Sequence, residues 1–434
     1  MKKYLLLIFS IAILFSGCNN NESVKHSKEN TEFFRSKEFH EKYKLTEVVV
    51  FSRHNIRAPL AAPGSFISRV TPYTWHDFGV EASELTEKGG TLETINGEFF
   101  RKWLVREGLF QNDEPLEKEI YFLTNSKQRT IATANFFLKG FTPTQTPVVH
   151  HAGKLNDMDP DFALALGKDI TEAQWAQIKK EYKAVYDNDG IRRASMALQE
   201  NYNLLADVLN LKESPAFKDG SFTGFNNHDS EILFPDGDEP RMTASINDAC
   251  SIADAIILQY YEEPDLNKVA FGKQLTREQW QMFSKIIEKR DAIRFHSPFV
   301  QHYVSQRQRK LIADALQNSE HKFTYICGHD VNIFNILKSM HVIEYDIPDA
   351  IEVSTPIGSK IVFEKWTDAA GNDYIGVSHI YQTIDQLRGN ISLDFLTVPD
   401  RIHLKFDGMQ ANDDGLYPLQ TIIERLREMP SIEQ

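Results

Sequence analysis

The most constraining feature of this sequence is a strand of the buried type that ends directly in a cationic motif. Residues 45–51 (LTEVVVF) are apolar and β-branched, and one serine separates them from residues 53–59 (RHNIRAP). Such a run is typical of a parallel strand covered on both faces, and open α/β sheets bind ligands at the carboxyl ends of these strands. The pattern predicts an α/β fold with Arg53, His54 and Arg57 at that edge. For this motif alone, a basic turn with a surface histidine is an equal alternative.

A second strand-to-helix junction carries another arginine. Residues 119–123 (EIYFL) lead through Thr-Asn-Ser into a helical pattern. Ser126 is the candidate N-cap, which places Arg129 in the first helical turn. Taken alone, Arg129 could instead pair with an acidic neighbour.

A third junction carries a histidine and a carboxylate. Residues 322–327 (KFTYIC) lead through Gly328, which permits a tight turn, into His329 and Asp330 at the start of a further helical pattern. Taken alone, this pair could be a capping turn. Because all three junctions occupy the same kind of position, we expect their side chains to converge if the strands are neighbours.

Three arginines and two histidines suit a multiply charged anion. Phosphoryl transfer needs charge neutralisation, a nucleophile such as the His54 ring and an acid such as Asp330. This chemistry needs no metal, and the usual ligand spacings are missing from the sequence. Adjacent residues of a strand point to opposite faces, so His150 and His151 form a poor chelating pair. His302 has no partner pattern and is interpreted as an ordinary surface or core histidine.

The combined motifs resemble those of the two-domain histidine acid phosphatases, and most closely the bacterial periplasmic glucose-1-phosphatases. The family pattern is Arg-His-Gly-x-Arg-x-Pro near the start and His-Asp or His-Ala-Glu late in the chain. Asn55 stands where most members have glycine, a departure typical of the glucose-1-phosphatase branch. The likeness spans nearly everything after residue 45 and is weak between 150 and 235. Its further segments are residues 85–90, 125–133, 258–262, 328–333 and 355–358.

The resemblance implies a role for each motif. His54 would be phosphorylated and the phosphohistidine then hydrolysed by water, with Asp330 donating a proton to the leaving group. In glucose-1-phosphatases a glutamate of the helical domain restricts the substrates, and Glu239 stands at the matching spacing from residues 258–261. The alternative for Glu239 is a solvated loop carboxylate. The phosphate-binding set implied by the resemblance is Arg53, Arg57, Arg129 and His329.

The amino terminus has the composition of an export signal. Two lysines, an apolar run from residue 5 to 15 and the sequence Ser-Gly before Cys18 indicate a lipoprotein processing site. Lipid would be attached to Cys18, and the polar stretch after it indicates a flexible tether. The alternative is a simple secretory signal with an incidental cysteine. We expect a periplasmic or cell-surface lipoprotein, anchored to the outer membrane and contacting lipid through the anchor alone.

Charge and cysteine content narrow the function classes further. The formal net charge is −13, which disfavours nucleic-acid partners. Besides Cys18, only Cys250 and Cys327 are present. Both lie in apolar contexts, so buried thiols are favoured over a disulfide, although an oxidising envelope would permit one.

The chain is long enough for two domains. We expect a mostly parallel central sheet flanked by helices, as in phosphoglycerate mutases, with a smaller α-helical cap inserted into it. The predicted divisions are a signal peptide at 1–17, a lipidated tether at 18–40, an α/β catalytic domain at 41–154 and 271–434, and the helical cap at 155–270.

Two function classes follow from the sequence. The first is an exported acid phosphatase acting on small sugar phosphates such as glucose 1-phosphate, with phytate as a further substrate. The second is a non-catalytic phosphosugar-binding lipoprotein. Asp330 discriminates between them, because a binding protein gains nothing from a carboxylate beside a dianion. The sequence leaves the oligomeric state open, and a homodimer is compatible with it.

Overall fold

The protein is described by a computed structural model that covers residues 33–60, 65–187 and 189–429. Its centre is an eight-stranded sheet, and a two-stranded hairpin lies apart from it. The strands are β1 (Tyr43–Arg53), β2 (Ile120–Thr124), β3 (Val149–His150), β4 (Ile232–Leu233), β5 (Arg241–Met242), β6 (Phe323–Gly328), β7 (Lys360–Asp368), β8 (Asp373–Tyr381), β9 (Asp400–His403) and β10 (Tyr417–Pro418).

The sheet is mixed, with one direction predominating. Its order is β10-β8-β7-β1-β6-β2-β3, and β9 pairs with β8. β1, β2, β3, β6 and β8 run in one direction, and β7, β9 and β10 run in the other. The predicted α/β fold with a mostly parallel central sheet is therefore confirmed.

Helices cover both faces of the sheet, and a further set of helices packs together in another core cluster. The helices are α1 (Lys37–Lys42), α2 (Phe66–Arg69), α3 (Glu87–Arg106), α4 (Gln128–Phe141), α5 (Glu172–Val185), α6 (Gly190–Met196), α7 (Gln199–Val208), α8 (Pro215–Lys218), α9 (Ala244–Glu262), α10 (Arg277–Arg294), α11 (Pro298–Asn318), α12 (Asp330–Ser339), α13 (Ile384–Gly389) and α14 (Leu419–Arg427). No helix in the described ranges is both long and apolar enough to cross a membrane.

Strand β1 shows why the apolar run is continuous. Val48 and Val50 face a core formed with α3 and α4, while Val49 and Phe51 face a second core formed with α11, α12 and α14. Successive side chains of a strand alternate between faces, so a strand covered on both faces needs apolar residues at every position. The strand that carries the cationic motif is thereby fixed from both sides.

The helices of the predicted cap share a core that continues past residue 270 and into the α/β part through Ile56 and Leu92. Apolar side chains of α7, α9 and α10 pack together, including Trp280 and Phe283 of α10. The predicted boundary at residue 270 leaves α10 in the catalytic domain, but its packing groups it with α9. The polar composition of α10 hid this relation, because only one stripe of the helix is buried.

The predicted tether ends earlier than residue 40. Phe33 and Phe34 are buried in the core beside α3, and α1 begins at Lys37. Two aromatic side chains bury enough apolar area to hold this segment against the domain, so residues 33–40 belong to the folded part. The predicted signal peptide, Cys18 and the rest of the tether lie outside the described residues.

Candidate active site

The sheet brings the three junctions to one edge. β6 lies between β1 and β2, with Arg53 paired in register to Gly328 and Thr124 paired to Cys327. All three strands are parallel, so their carboxyl ends meet at the same edge. The His54 backbone N–H donates to the Gly328 carbonyl at 3.1 Å, which ties the first junction to the third.

His54 is held as a neutral ring with a free nitrogen. The residue is 3% exposed, and its Nδ1 lies 2.9 Å from the carbonyl oxygen of Asn55. A carbonyl only accepts, so Nδ1 carries the proton and Nε2 keeps its lone pair. Burial, followed by the charges of Arg129 and Arg57, holds the pKa of His54 well below its ordinary value. This is the protonation state that a nitrogen nucleophile requires.

Three guanidinium groups surround this ring. The Nε atoms of Arg53, Arg57 and Arg129 are buried and have no hydrogen-bond partner among the described residues. Arg129 forms no ion pair with a described carboxylate, and burial lowers its pKa to about 10. Buried N–H donors are almost always satisfied in proteins. Three unsatisfied cationic donors in one place indicate an anion site.

His329 contributes a further donor. The Asn125 amide is oriented by its own oxygen, which accepts from the Asp159 N–H at 3.0 Å. Its nitrogen therefore donates to His329 Nε2 at 2.7 Å, which leaves the proton of the neutral ring on Nδ1. That Nδ1 lies 3.5 Å from the Nη2 atom of Arg129. Two N–H donors side by side are suited to an anion that accepts from both.

Asp330 is the carboxylate beside these donors. It is the first residue of α12, and its Oδ2 lies 3.2 Å from Arg53 Nη2. Burial acts to raise the pKa of Asp330, but the charges of Arg53 and Arg57 outweigh it and hold that pKa well below its usual range. About 30% of the side chain is exposed, so the carboxylate can reach a bound substrate.

Two carboxylates that the sequence reasoning missed also hold the arginines. Asp254 of α9 contacts Arg57 Nη2 through both oxygens, at 3.2 and 3.1 Å. Glu352 lies 3.4 Å from Arg53 Nη1 and accepts from the Tyr261 hydroxyl at 2.6 Å. Asp254 left one signal in the sequence, since it is the single charged residue in the apolar run 252–258 (IADAIIL).

A buried ion pair fixes the loop that carries His54. Glu93 is fully buried, and its Oε1 accepts from Lys360 Nζ at 3.1 Å and from the Asn55 amide at 2.7 Å. Gly358 lies against the same amide with a φ of +67°, where a side chain would collide. The asparagine in the motif therefore anchors the turn through this buried pair, a role that needs partners from distant parts of the chain.

Local expectations at the other two junctions need correction. Lys127, and not Ser126, is the N-cap residue of α4, and the oxygen of the Asn156 side chain accepts from the Gln128 N–H at 3.0 Å. Ser126 instead donates to Asp159 at 2.8 Å. Arg129 still lies in the first turn. Gly328 has no left-handed conformation, but an added Cβ would lie only 2.8 Å from the Asn332 side chain, so space requires glycine there.

A cavity with an acidic lining adjoins the arginines. Its own volume is about 40 Å³ and it continues into open solvent, and Arg53 forms part of its wall. Ile257, Leu258 and Phe334 supply apolar surface. The carboxylates along its wall are Asp254, Glu288, Asp291, Asp330 and Glu352. Beyond the arginines, the space is suited to a ligand with hydroxyl groups and little further negative charge.

Glu239 lies one contact away from this cavity. Its Oε2 pairs with Arg294 Nη2 at 3.1 Å, and Arg294 Nη1 pairs with the cavity residue Asp291 at 3.0 Å. The side chain of Glu239 is 42% exposed and contacts none of the arginines or histidines at the sheet edge. The structure thus places Glu239 at the cap side of the cavity, outside the cluster formed by the other six predicted residues.

Comparison with known proteins gives concordant results. The family described as Histidine phosphatase superfamily (branch 2) matches residues 26–232. The chain is 33% identical to a glucose-1-phosphatase of Salmonella typhimurium, over 87% of this chain and 91% of that protein. It is 31% identical to a glucose-1-phosphatase of Providencia rettgeri, over 86% and 88%. Among solved structures, the apo form of Hafnia alvei phytase superposes with a TM-score of 0.78 at 25% identity, covering 89% of this chain and 96% of that one.

Proposed function

Because the chain belongs to the histidine phosphatase superfamily (branch 2) and is a phosphoric monoester hydrolase, we propose that it hydrolyses sugar phosphates such as glucose 1-phosphate through a phosphohistidine on His54. The observation that carries this proposal is the neutral, buried His54 ring, with its Nε2 lone pair free, among three unsatisfied arginine N–H donors. The curated relatives named glucose-1-phosphatase support the choice of substrate class.

In the proposed reaction, the phosphate of the substrate binds between the guanidinium groups of Arg53, Arg57 and Arg129 and the Nδ1–H of His329. These donors neutralise the equatorial oxygens. His54 Nε2 attacks phosphorus, so an N–P bond forms as the P–O bond to the sugar breaks. Asp330 gives its proton to the departing sugar oxygen.

The second half of the reaction reverses the role of Asp330. As a carboxylate, it accepts a proton from the water that attacks phosphorus, and the N–P bond breaks. Inorganic phosphate leaves, and His54 regains its free Nε2. The charges of Arg53 and Arg57 keep Asp330 ionised, so it needs substrate to become an acid. A phosphate dianion offsets those charges and raises the pKa of Asp330, which favours activity at acidic pH.

The acidic cavity supports a preference for monophosphorylated sugars over phytate. The hydroxyl groups of a sugar can donate to the Glu288 carboxylate, which forms no ion pair with a described cation, whereas the other phosphates of phytate would meet its like charge. In this proposal Glu239 adds negative charge on the cap side of the cavity, at a greater distance from the substrate than the cavity carboxylates. In a phosphosugar-binding protein, Asp330 beside the anion would lower the affinity for phosphate, so the site favours a hydrolase over a binding protein.

We also propose that the protein acts outside the cytoplasm. The support is the amino-terminal sequence, in which Cys18 follows an apolar run and precedes a polar stretch. Lipid attachment to Cys18 would hold the enzyme at a membrane by an anchor. Labelling cells with a radioactive fatty acid tests this, with Cys18→Ser as the matched variant; equal labelling of both would reject the anchor.

The function itself is tested with purified protein and two esters. Glucose 1-phosphate should be hydrolysed at acidic pH without added metal, with a higher kcat/KM than phytate. His54→Ala should abolish both activities, and retained turnover would overturn the proposal. Glu288→Gln and Glu239→Ala should each raise the phytate to glucose 1-phosphate ratio. Glu320→Gln, an exposed change just after the end of α11, serves as the control and should leave the ratio unaltered.

A further inference from the structure

Three side chains of the kind that bind metal ions lie close together on or just after α11, α12 and α14, away from the cluster around His54. His302 belongs to α11, His341 follows α12 and Glu428 follows α14. One potential ligand atom from each of these residues lies within 4.8 Å of the other two. None of the three is part of the arginine and histidine cluster around His54 or of the acidic cavity beside it.

His302 is already oriented as a ligand. The residue is 3% exposed, and its Nδ1 lies 2.9 Å from the Pro298 carbonyl, to which it therefore donates. Nε2 keeps the lone pair and has no hydrogen-bond partner among the described residues. A metal-bound histidine has this arrangement, with its other nitrogen donating to a carbonyl or carboxylate.

His341 and Glu428 provide the exposed side of the group. The His341 ring lies 5.6 Å from the His302 ring, measured between centroids, and its backbone has a φ of +55°. Glu428 Oε2 pairs with Arg425 Nε at 3.1 Å, so its Oε1 is the oxygen available to an ion. Arg309 donates to the carbonyls of Leu426 and Glu428 at 2.7 and 2.8 Å, which fixes the backbone that carries this carboxylate.

We propose that His302 Nε2, the His341 ring and the Glu428 carboxylate bind a divalent transition-metal ion of the zinc class. Two imidazole nitrogens and one carboxylate oxygen form a donor set that suits Zn²⁺, with solvent completing the tetrahedron. Metal–ligand bonds of about 2.0–2.2 Å place tetrahedral ligand atoms about 3.4 Å apart. The two exposed side chains therefore need to move closer by at most about 1.4 Å, which rotation about their side-chain bonds supplies.

The bound ion would connect elements that are far apart in sequence. α11 and α14 cover the same face of the sheet as α12. His302 lies in the second turn of α11, and the other two ligands follow the carboxyl ends of α12 and α14. An ion that binds the folded chain and not the unfolded chain shifts the unfolding equilibrium by about 100-fold at a concentration 100 times its Kd. The bound ion would therefore stabilise the α/β domain by linking these helices, and it would take no part in the phosphatase reaction.

The test uses full-length protein purified without a histidine tag, in phosphate-free buffer. After dialysis against micromolar zinc and removal of loose metal, elemental analysis should give one zinc per chain, and zinc should raise the Tm. His341→Asn and Glu428→Gln should each lose the zinc and the Tm increase. Asparagine tolerates the left-handed backbone of residue 341, so this variant should fold. His150→Asn, an exposed histidine on the edge strand β3, is the matched control and should retain both.

Cobalt gives a second readout that does not depend on stability. Co²⁺ should bind in place of zinc with the visible absorption of a nitrogen-coordinated, four-coordinate ion, and His341→Asn should remove that absorption. His302→Gln adds a test of the buried ligand, read by the same spectrum. Zinc content or cobalt absorption that is unchanged in His341→Asn and Glu428→Gln would overturn the proposal. So would wild-type protein that retains no metal.

Discussion

Replacing Asp330 by asparagine separates proton donation from phosphate binding. The variant keeps the shape of the side chain and the hydrogen bond that its Oδ1 accepts from the Val331 N–H at 2.8 Å. It removes the proton that the sugar oxygen needs as it leaves. General acid catalysis contributes about 10²- to 10⁴-fold, so kcat/KM on glucose 1-phosphate should fall by that factor.

The loss should depend on the leaving group. p-Nitrophenolate departs without a proton, so kcat/KM on p-nitrophenyl phosphate, which reports phosphoryl transfer to His54, should fall far less than kcat/KM on glucose 1-phosphate. A change that merely disturbed the site would slow both esters equally. The ratio of the two losses is therefore the quantity that reports proton donation.

Phosphate binding should respond in the opposite direction. Asp330 Oδ2 forms an ion pair with Arg53 Nη2 at 3.2 Å, in which the Asp330 side chain is partly exposed and that of Arg53 is buried. Exposed ion pairs contribute about 0.2–1 kcal/mol, and breaking a buried pair costs about 3–5 kcal/mol. Because the Arg53–Asp330 pair is partly exposed, we assign it about 1 kcal/mol. Freeing Arg53 and removing one negative charge should lower the inhibition constant for inorganic phosphate about fivefold.

Steady-state kinetics on both esters and phosphate inhibition provide the assay. Glu320→Gln, an exposed change outside the cavity, is the control and should leave the ratio of the two kcat/KM values intact. The reasoning fails if Asp330→Asn retains wild-type turnover on glucose 1-phosphate. It also fails if kcat/KM falls by the same factor for both esters, or if phosphate binds more weakly.

Three further predictions concern binding and stability. Arg129→Met should raise the phosphate inhibition constant by about 10- to 100-fold, since charge-assisted hydrogen bonds contribute about 1.5–3 kcal/mol; a change below threefold would contradict its role. Glu93→Gln should destabilise the fold by about 3–5 kcal/mol in denaturant unfolding, because Lys360 is left buried and unpaired, and adding Lys360→Met should recover more than half; no recovery would refute the pairing argument. Burial, with the charge of Glu364, raises the pKa of Glu107 to about 7, above its value in the unfolded chain. The protonated carboxyl therefore contributes to the free energy of unfolding at low pH, and this contribution is lost as the pH rises through about 7. The unfolding free energy should fall by up to about 2.5 kcal/mol from about pH 5 to about pH 8, and Glu107→Gln should flatten this slope, whereas an identical slope in the variant would exclude Glu107 as its source.

The sequence predicted the elements whose signals are local. The apolar runs that became β1, β2 and β6 were recognisable because a strand covered on both faces needs apolar residues at successive positions. Their polar carboxyl ends then had to share an edge. The convergence of His54, Arg129 and His329 follows from that rule without knowledge of any contact.

Features that depend on distant partners were out of reach. Lys360 and Glu93 are 267 residues apart, and Asp254 lies 197 residues from Arg57, so no local pattern reveals either pair. The expected cap at Ser126 failed for the same reason, since Asp159 accepts its hydroxyl and competes with the local rule. His302 had no partner in sequence because its neighbours come from the ends of two other helices.

The covalent step at His54 is the centre of the account, and trapping it is the most direct test. Asp330→Asn should accumulate the intermediate with p-nitrophenyl phosphate, because the phenolate leaves unaided while the attacking water lacks its base. Quenching at alkaline pH and peptide mass spectrometry should place the phosphoryl group on a nitrogen of His54. A burst of p-nitrophenolate with no phosphoryl group on His54, or with the group on another residue, would contradict the account.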